Sequence, residues 1–202
     1  MNGNFYPESR LAYMTGRLIQ ILMGGWTIKG SLPDLNKYVI IIAHHTSNWD
    51  FMVALAVKLI LRLNTRFFGK HTLFIGPLGW FMRKLGGVPI ERSQSLNRVE
   101  QAINEINRNE FFVLTITPEG TRSKVKSWKT GFYHIAHGAG IPVLPIAFDF
   151  ANKQMVIGSP IPTTGNIEGD IKEMHRFFLP FQPKHPDRAC QGPFEDDSSK
   201  ST

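Results

Sequence analysis

Tyr38-Val39-Ile40-Ile41-Ile42-Ala43 is an uncharged run rich in β-branched residues. A run so short and so apolar reads as a buried strand. Residues 111–117 and 143–148 have the same character, and Ile141-Pro142 introduces the second. Residues 65–69 and 86–92 read as shorter strands, and 155–157 as an edge strand. Residues 49–63, 78–85, 131–138 and 167–179 have helical spacing between them. So does a stretch opening at Ser93 or Ser95, whose buried stripe is Leu96, Val99, Ile103 and Ile106. Strands alternating with helices predict a single α/β domain with a mixed, mostly parallel central sheet flanked by helices.

The strand at 38–43 runs directly into His44-His45-Thr46-Ser47-Asn48-Trp49-Asp50. Thr46, Ser47 and Asn48 are natural N-caps for the helix that follows. His45 and Asp50 therefore flank a strand end and a helix start, where α/β sheets favour ligand sites. Residues five apart do not share a helix face. With His45 in the turn and Asp50 in the first helical turn, the carboxylate can reach back to one ring nitrogen. The other nitrogen is then available to take a proton. For such a pair taken alone, a histidine cap beside a first-turn carboxylate is the commoner explanation.

Lys and Arg number 23 against 16 Asp and Glu, a formal charge of +7. That excess suits an anionic partner: nucleic acid, an acidic carrier protein or an anionic lipid surface. The single cysteine, Cys190, excludes an internal disulfide and a cysteine zinc cluster and fits a reducing compartment. No apolar run is long enough to predict a transmembrane helix, and the N-terminus lacks a signal-peptide pattern.

Residues 11–26 read as a helix with Leu11, Met14, Leu18, Ile21 and Leu22 on one side, ended by Gly24-Gly25. Such a stripe fits packing on a core, the commoner outcome, or lying in a membrane interface. Residues 72–82 are uncharged and bordered by Lys70, Arg83 and Lys84. They suit either a membrane or acyl-chain contact or ordinary core. Residues 1–30 are thus an N-terminal helical segment suited to membrane-surface attachment. Residues 31–180 are the main domain, and 181–202, rich in Pro, Ser and charge, a mobile tail.

Four stretches together resemble the glycerolipid and lysophospholipid acyltransferases, of the 1-acyl-glycerol-3-phosphate acyltransferase type. The His-x-x-x-x-Asp motif resembles His45 to Asp50. Gly86-Gly87-Val88-Pro89-Ile90-Glu91-Arg92 resembles the second motif, and Thr117-Pro118-Glu119-Gly120-Thr121-Arg122-Ser123 the third. Ile141-Pro142-Val143-Leu144-Pro145 resembles the fourth. The resemblance implies that His45 deprotonates an acceptor hydroxyl, that Asp50 orients His45, and that no covalent enzyme intermediate forms. Arg92 and Arg122 would hold the acceptor's phosphate. Glu119, Gly120 and Thr121 would shape the acceptor site, with Lys129 and Lys70 as further basic candidates. The implied co-substrate is acyl-CoA or an acyl carrier protein, with no other cofactor and no metal. The implied acceptor is a lysophospholipid, foremost 1-acyl-glycerol-3-phosphate, at the cytoplasmic side of a membrane held peripherally or monotopically.

His44 stands where the family motif usually has Asn. Pro89 replaces an aromatic, Glu91 an Asp and Thr117 a Phe. These departures leave other acceptors open, glycerol-3-phosphate and other lysolipids among them. Two readings compete with the resemblance. One is a metal-dependent hydrolase built on His44, His45, His134 and His137, which lacks the helical His-Glu-x-x-His signature. The other is a non-catalytic anionic-lipid or nucleic-acid binder; RNA-type aromatic motifs are missing.

Overall fold

The computed structural model describes residues 10–90, 95–190 and 192–194, with side chains except those of residues 70, 90 and 95–97. Seven strands make one sheet: β1 (Thr27–Lys29), β2 (Lys37–Ala43), β3 (Thr65–Lys70), β4 (Gly87–Ile90), β5 (Phe112–Ile116), β6 (Val143–Asp149) and β7 (Gln154–Ile157). Their order is β1-β7-β6-β2-β5-β3-β4. Every neighbouring pair is parallel except β6 and β7, which form an antiparallel hairpin. Six helices accompany it: α1 (Arg10–Leu22), α2 (Trp49–Ile60), α3 (Gly76–Lys84), α4 (Ser95–Arg108), α5 (Gly131–Ala139) and α6 (Ile167–Phe178). This is the mixed, mostly parallel α/β domain the sequence predicts.

β2 lies at the centre, and its period of two splits the core. Val39, Ile41 and Ala43 join Phe112, Leu114 and the buried faces of α4, α5 and α6 on one side. Tyr38, Ile40 and Ile42 join Val53 and Val57 of α2, with Trp26 and Phe148, on the other. Covering both faces is why the inner strands are apolar at every position rather than at alternate ones.

The N-terminal segment departs from its sequence reading. α1 stops at Leu22, and Gly24 and Gly25 turn the chain with φ of 99° and 77°, where glycine meets no steric penalty. Trp26 then enters the core, and β1 adds an edge strand beside β7. The sheet thus begins inside the stretch read as helical through residue 30. The stripe of α1 does not pack on the core: Leu11, Met14, Leu18, Ile21 and Leu22 are 57–76% exposed. The opposite side carries Gly16, buried against α2. A Cβ there would meet Leu59 Cβ at 2.8 Å and the Ala56 carbonyl at 2.9 Å. The small residue lets the backbones approach and leaves the large apolar side chains facing outward. Among the described residues no helix is long and apolar enough to cross a membrane.

At the other end, the segment read as mobile from residue 181 lies against the domain for much of its length. Gln182 O accepts the Phe150 N–H at 2.8 Å, and the His185 N–H donates to Thr46 Oγ1 at 3.1 Å. Cys190 is buried, and Pro193 O accepts the Trp128 N–H at 3.1 Å. These contacts reach partners far away in the chain, so local composition does not disclose them.

Asp170, near the start of α6, pins the loop before that helix. Its carboxylate accepts from Tyr133 Oη at 2.7 Å, from the Thr164 N–H at 2.6 Å and from Thr164 Oγ1 at 2.9 Å. Burial alone would raise the Asp170 pKa. The Thr164 and Tyr133 hydrogen bonds and the charge of His137 outweigh it and hold the group below its ordinary 3.8. A carboxyl lowered on folding adds stability above its unfolded pKa, and that stability is lost as pH falls through the folded value. Asp170→Ala is therefore expected to lose about 2–4 kcal/mol near neutral pH, because it strands buried donors. Its deficit against wild type should shrink as pH falls below 3.8, as read from urea midpoints across that range.

Candidate active site

The turn between β2 and α2 gathers its polar groups on Asp50, which is 1% exposed. Asp50 Oδ2 lies 3.0 Å from His45 Nδ1 and accepts the Thr46 and Ser47 N–H groups at 2.9 Å each. Nδ1 therefore carries the proton in the neutral ring, leaving Nε2 as the acceptor. The reach-back expected from the five-residue spacing is present. The capping differs from expectation. Asn48 occupies the N-cap position without a side-chain bond; Ser47 Oγ accepts the Trp49 N–H at 3.1 Å; Thr46 Oγ1 is taken by His185. The Ala43–His44 peptide bond is cis.

β5 lies beside β2 and delivers the second polar cluster to the same end of the sheet. Gly120 turns the chain with φ of 67°, and its N–H donates to Thr117 O at 3.0 Å. The Lys129 N–H donates to Pro118 O at 2.8 Å, which lays its side chain over Gly120. A Cβ at position 120 would stand 3.0 Å from Lys129 Nζ. That close approach explains the glycine. Glu119 points the other way, into the protein behind His45: its Oε2 accepts the His45 N–H at 2.6 Å.

His45, Asp50, Gly120, Arg122 and Lys129 all line one cavity of ≈ 1150 Å³. On the α2 side its walls are apolar and include Ile40, Ile42, Ala54, Val57, Leu61, Ile146 and Phe148. On the α5 side Arg122, Lys129, Thr130 and His134 line it, with Arg98 from α4. The apolar part follows α2 inward. At 1.5 Å per residue Lys58 lies about 12 Å beyond Asp50. Its Nζ donates to Thr65 O at 2.8 Å, and burial lowers its pKa to about 8.

Of the other site residues read from sequence, Thr121 is not among the cavity-lining side chains, and its Oγ1 accepts the Ser123 N–H. Glu119 is not at the cavity wall either. Arg92 lies outside the described residues. Lys70 ends β3, with its side chain outside the described set. Arg98, Thr130 and Lys58 line the cavity but belong to no motif, so spacing gave them no signal. His137 turns away from the cavity, with Nδ1 3.3 Å from Thr163 Oγ1. Among the described residues no group of three or more His, Cys, Asp or Glu side chains is arranged to hold a metal ion.

A family profile described as Acyltransferase matches residues 27–149, more than half of the chain and all of the cavity-forming turns just described. The chain belongs to the acyltransferase family. It is 29% identical over 144 residues to the 1-acyl-sn-glycerol-3-phosphate acyltransferase of Escherichia coli, covering 66% of this chain and 56% of that protein. It is 30% identical over 135 residues to the chloroplastic 1-acyl-sn-glycerol-3-phosphate acyltransferase BAT2 of Brassica napus, covering 64% of this chain and 38% of that protein. The chain thus spans little more than half the length of the first of these relatives, and less of the second. The crystal structure of the 1-acyl-sn-glycerophosphate (LPA) acyltransferase PlsC from Thermotoga maritima has the same fold. It superposes with a TM-score of 0.60 at 23% identity, over 83% of this chain and 75% of that one.

Within this acyltransferase, Asp50 is the group whose replacement separates orientation from charge. Asp50→Asn keeps the shape and an amide oxygen that accepts from the same three donors, and removes the charge that would stabilise an imidazolium. A fall in turnover of about 10²–10⁴-fold is expected, with the acceptor KM unchanged, measured by steady-state kinetics.

Proposed function

We propose that the protein moves a fatty acyl group from a thioester donor, acyl-CoA or an acyl carrier protein, to the free hydroxyl of a lysophospholipid. The acceptor the reading favours is 1-acyl-glycerol-3-phosphate, which would give phosphatidic acid. The observation that carries this is the His45–Asp50 pair opening on a cavity that is apolar on one side and basic on the other. The names of the relatives supply the acceptor.

The mechanism follows from that arrangement. His45 Nε2 takes the proton of the acceptor hydroxyl as its oxygen attacks the thioester carbonyl. The tetrahedral intermediate collapses, the C–S bond breaks, and the thiol leaves with the proton that His45 returns. Asp50 stabilises the imidazolium formed in between. Arg122 and Lys129 attract the acceptor's phosphate; arginine's planar fork suits two phosphate oxygens at once. The apolar wall along α2 takes hydrocarbon. Arg92 and Lys70 remain candidates from the family motifs for phosphate and donor contacts.

A lysophospholipid acceptor resides in a membrane, and the outer surface suits one. In addition to the outward stripe of α1, α3 exposes Leu78, Trp80 and Phe81, and its last turn carries the basic Arg83 and Lys84. Leu73, Met82 and Phe51 nearby line the cavity. Apolar side chains with flanking cations favour an anionic bilayer surface without spanning it. The enzyme would then draw lipid from the interface directly into its cavity.

Two measurements test this reading. Labelled acyl-CoA presented with a panel of lysolipids and glycerol-3-phosphate should give a labelled product, chiefly from 1-acyl-glycerol-3-phosphate. His45→Ala should lower the rate by at least about 10²-fold. A His45→Ala protein that still fulfilled its cellular task would favour a non-catalytic lipid binder instead. In vesicle flotation with anionic phospholipid, replacing Leu11, Leu18 and Leu22 by Gln together should release the protein from the vesicles while its thermal midpoint stays near wild type. Those side chains are exposed, so solvent already surrounds them.

A further inference from the structure

The third motif carries a glutamate, and its place in the molecule is behind the base rather than in front of it. Glu119 is 3% exposed and absent from the cavity wall, although its neighbours Gly120 and Arg122 are on it. The reason is the turn. Pro118 is tied to Lys129 through its carbonyl, and Gly120 reverses the chain at positive φ. The side chains before and after that reversal therefore face opposite ways.

Its two oxygens meet consecutive residues of the first motif. Oε2 accepts the His45 N–H at 2.6 Å, a short bond to an anionic acceptor. Oε1 lies 3.4 Å from His44 Nδ1. The ring of His44 is held edge-on by His175 at 6.3 Å and Phe178 at 6.4 Å. Trp128 closes on His175 at 5.2 Å. Asp50 thus holds the imidazole of His45, while Glu119 holds its main chain, across 74 residues of sequence.

We propose that Glu119 is a positioning residue: with His44 beside it, it fixes the backbone of the base, and it makes no contact with the acceptor's headgroup. This rests on the reading of His45 as the base. A ring anchored at both the side chain and the peptide keeps Nε2 in line with the incoming hydroxyl. Displacement by about 1 Å at such a position lowers rates by roughly 10²-fold. His44 packs beside the second oxygen: its Nδ1 stands 3.4 Å from Oε1, and neither buried atom has a hydrogen-bond partner among the described residues.

The test combines kinetics with an observation that needs no turnover. Glu119→Ala should lower kcat by about 10²-fold and leave the acceptor KM within twofold. Glu119→Gln should recover most of that loss, because its amide oxygen still accepts the His45 N–H. A rise in acceptor KM at constant kcat would make Glu119 a substrate contact and overturn the proposal, as would a Gln variant no better than Ala. In the whole chain labelled with ¹⁵N-histidine, the His45 amide proton should resonate far downfield and move upfield in Glu119→Ala, with Glu119→Leu, which also removes the acceptor, serving if the Ala protein does not fold. An unmoved resonance in the variant overturns the proposal whatever the activity. Absence of acyl transfer by the wild type would instead overturn the functional reading, and the resonance would still decide the contact.

Discussion

One buried carboxylate organises the turn between β2 and α2. Asp50 is removed from water, and a charge so placed is costly unless donors surround it. Three surround a single oxygen: the imidazole of His45 and the backbone N–H groups of Thr46 and Ser47. The same contacts that satisfy the charge also shape the turn and orient the ring. The local fold and the orientation of the imidazole therefore rest on one group. The helix start at Trp49 adds its own preference for negative charge at that spot.

The sheet makes this arrangement possible by bringing two strand ends together. β2 and β5 are parallel neighbours, so the turns after them lie side by side at the same edge. The first turn supplies His45 and Asp50, and the second supplies Gly120 and Arg122 on the cavity side and Glu119 on the buried side. The cavity face is lined by Arg122 and Lys129, while the rear face holds the main chain of His45. The segment after residue 180 reinforces the rear, with His185 bonded to Thr46 and Pro193 to Trp128.

Much of the fold was legible because burial on both faces leaves a plain mark. Runs such as 38–43, 111–117 and 143–148 have almost no other reading, and helix spacing was clear at 95–106 and 167–179. β1 was not legible: three residues, Thr27–Lys29, carry no pattern, and only the edge of β7 makes them a strand. The direction of α1 was open for a related reason. Its apolar stripe fits core or interface alike, and the packing side was chosen by Gly16, whose value lies in what it lacks. Along the candidate site, His45, Asp50, Gly120, Arg122 and Lys129 were readable as motifs. Lys58, Arg98 and Thr130 were not, because nothing local distinguishes a lysine or arginine that will line a cavity from one that will meet solvent.

The sequence by itself determined the strand–helix alternation and the spacing that lets Asp50 reach His45, since both depend on residues close in the chain. The tertiary structure alone decided which way Glu119 faces, which side of α1 is left to the outside, and which distant side chains share a cavity with His45. Those outcomes depend on contacts between residues far apart, whose free energies become available only once the sheet has brought its strand ends together.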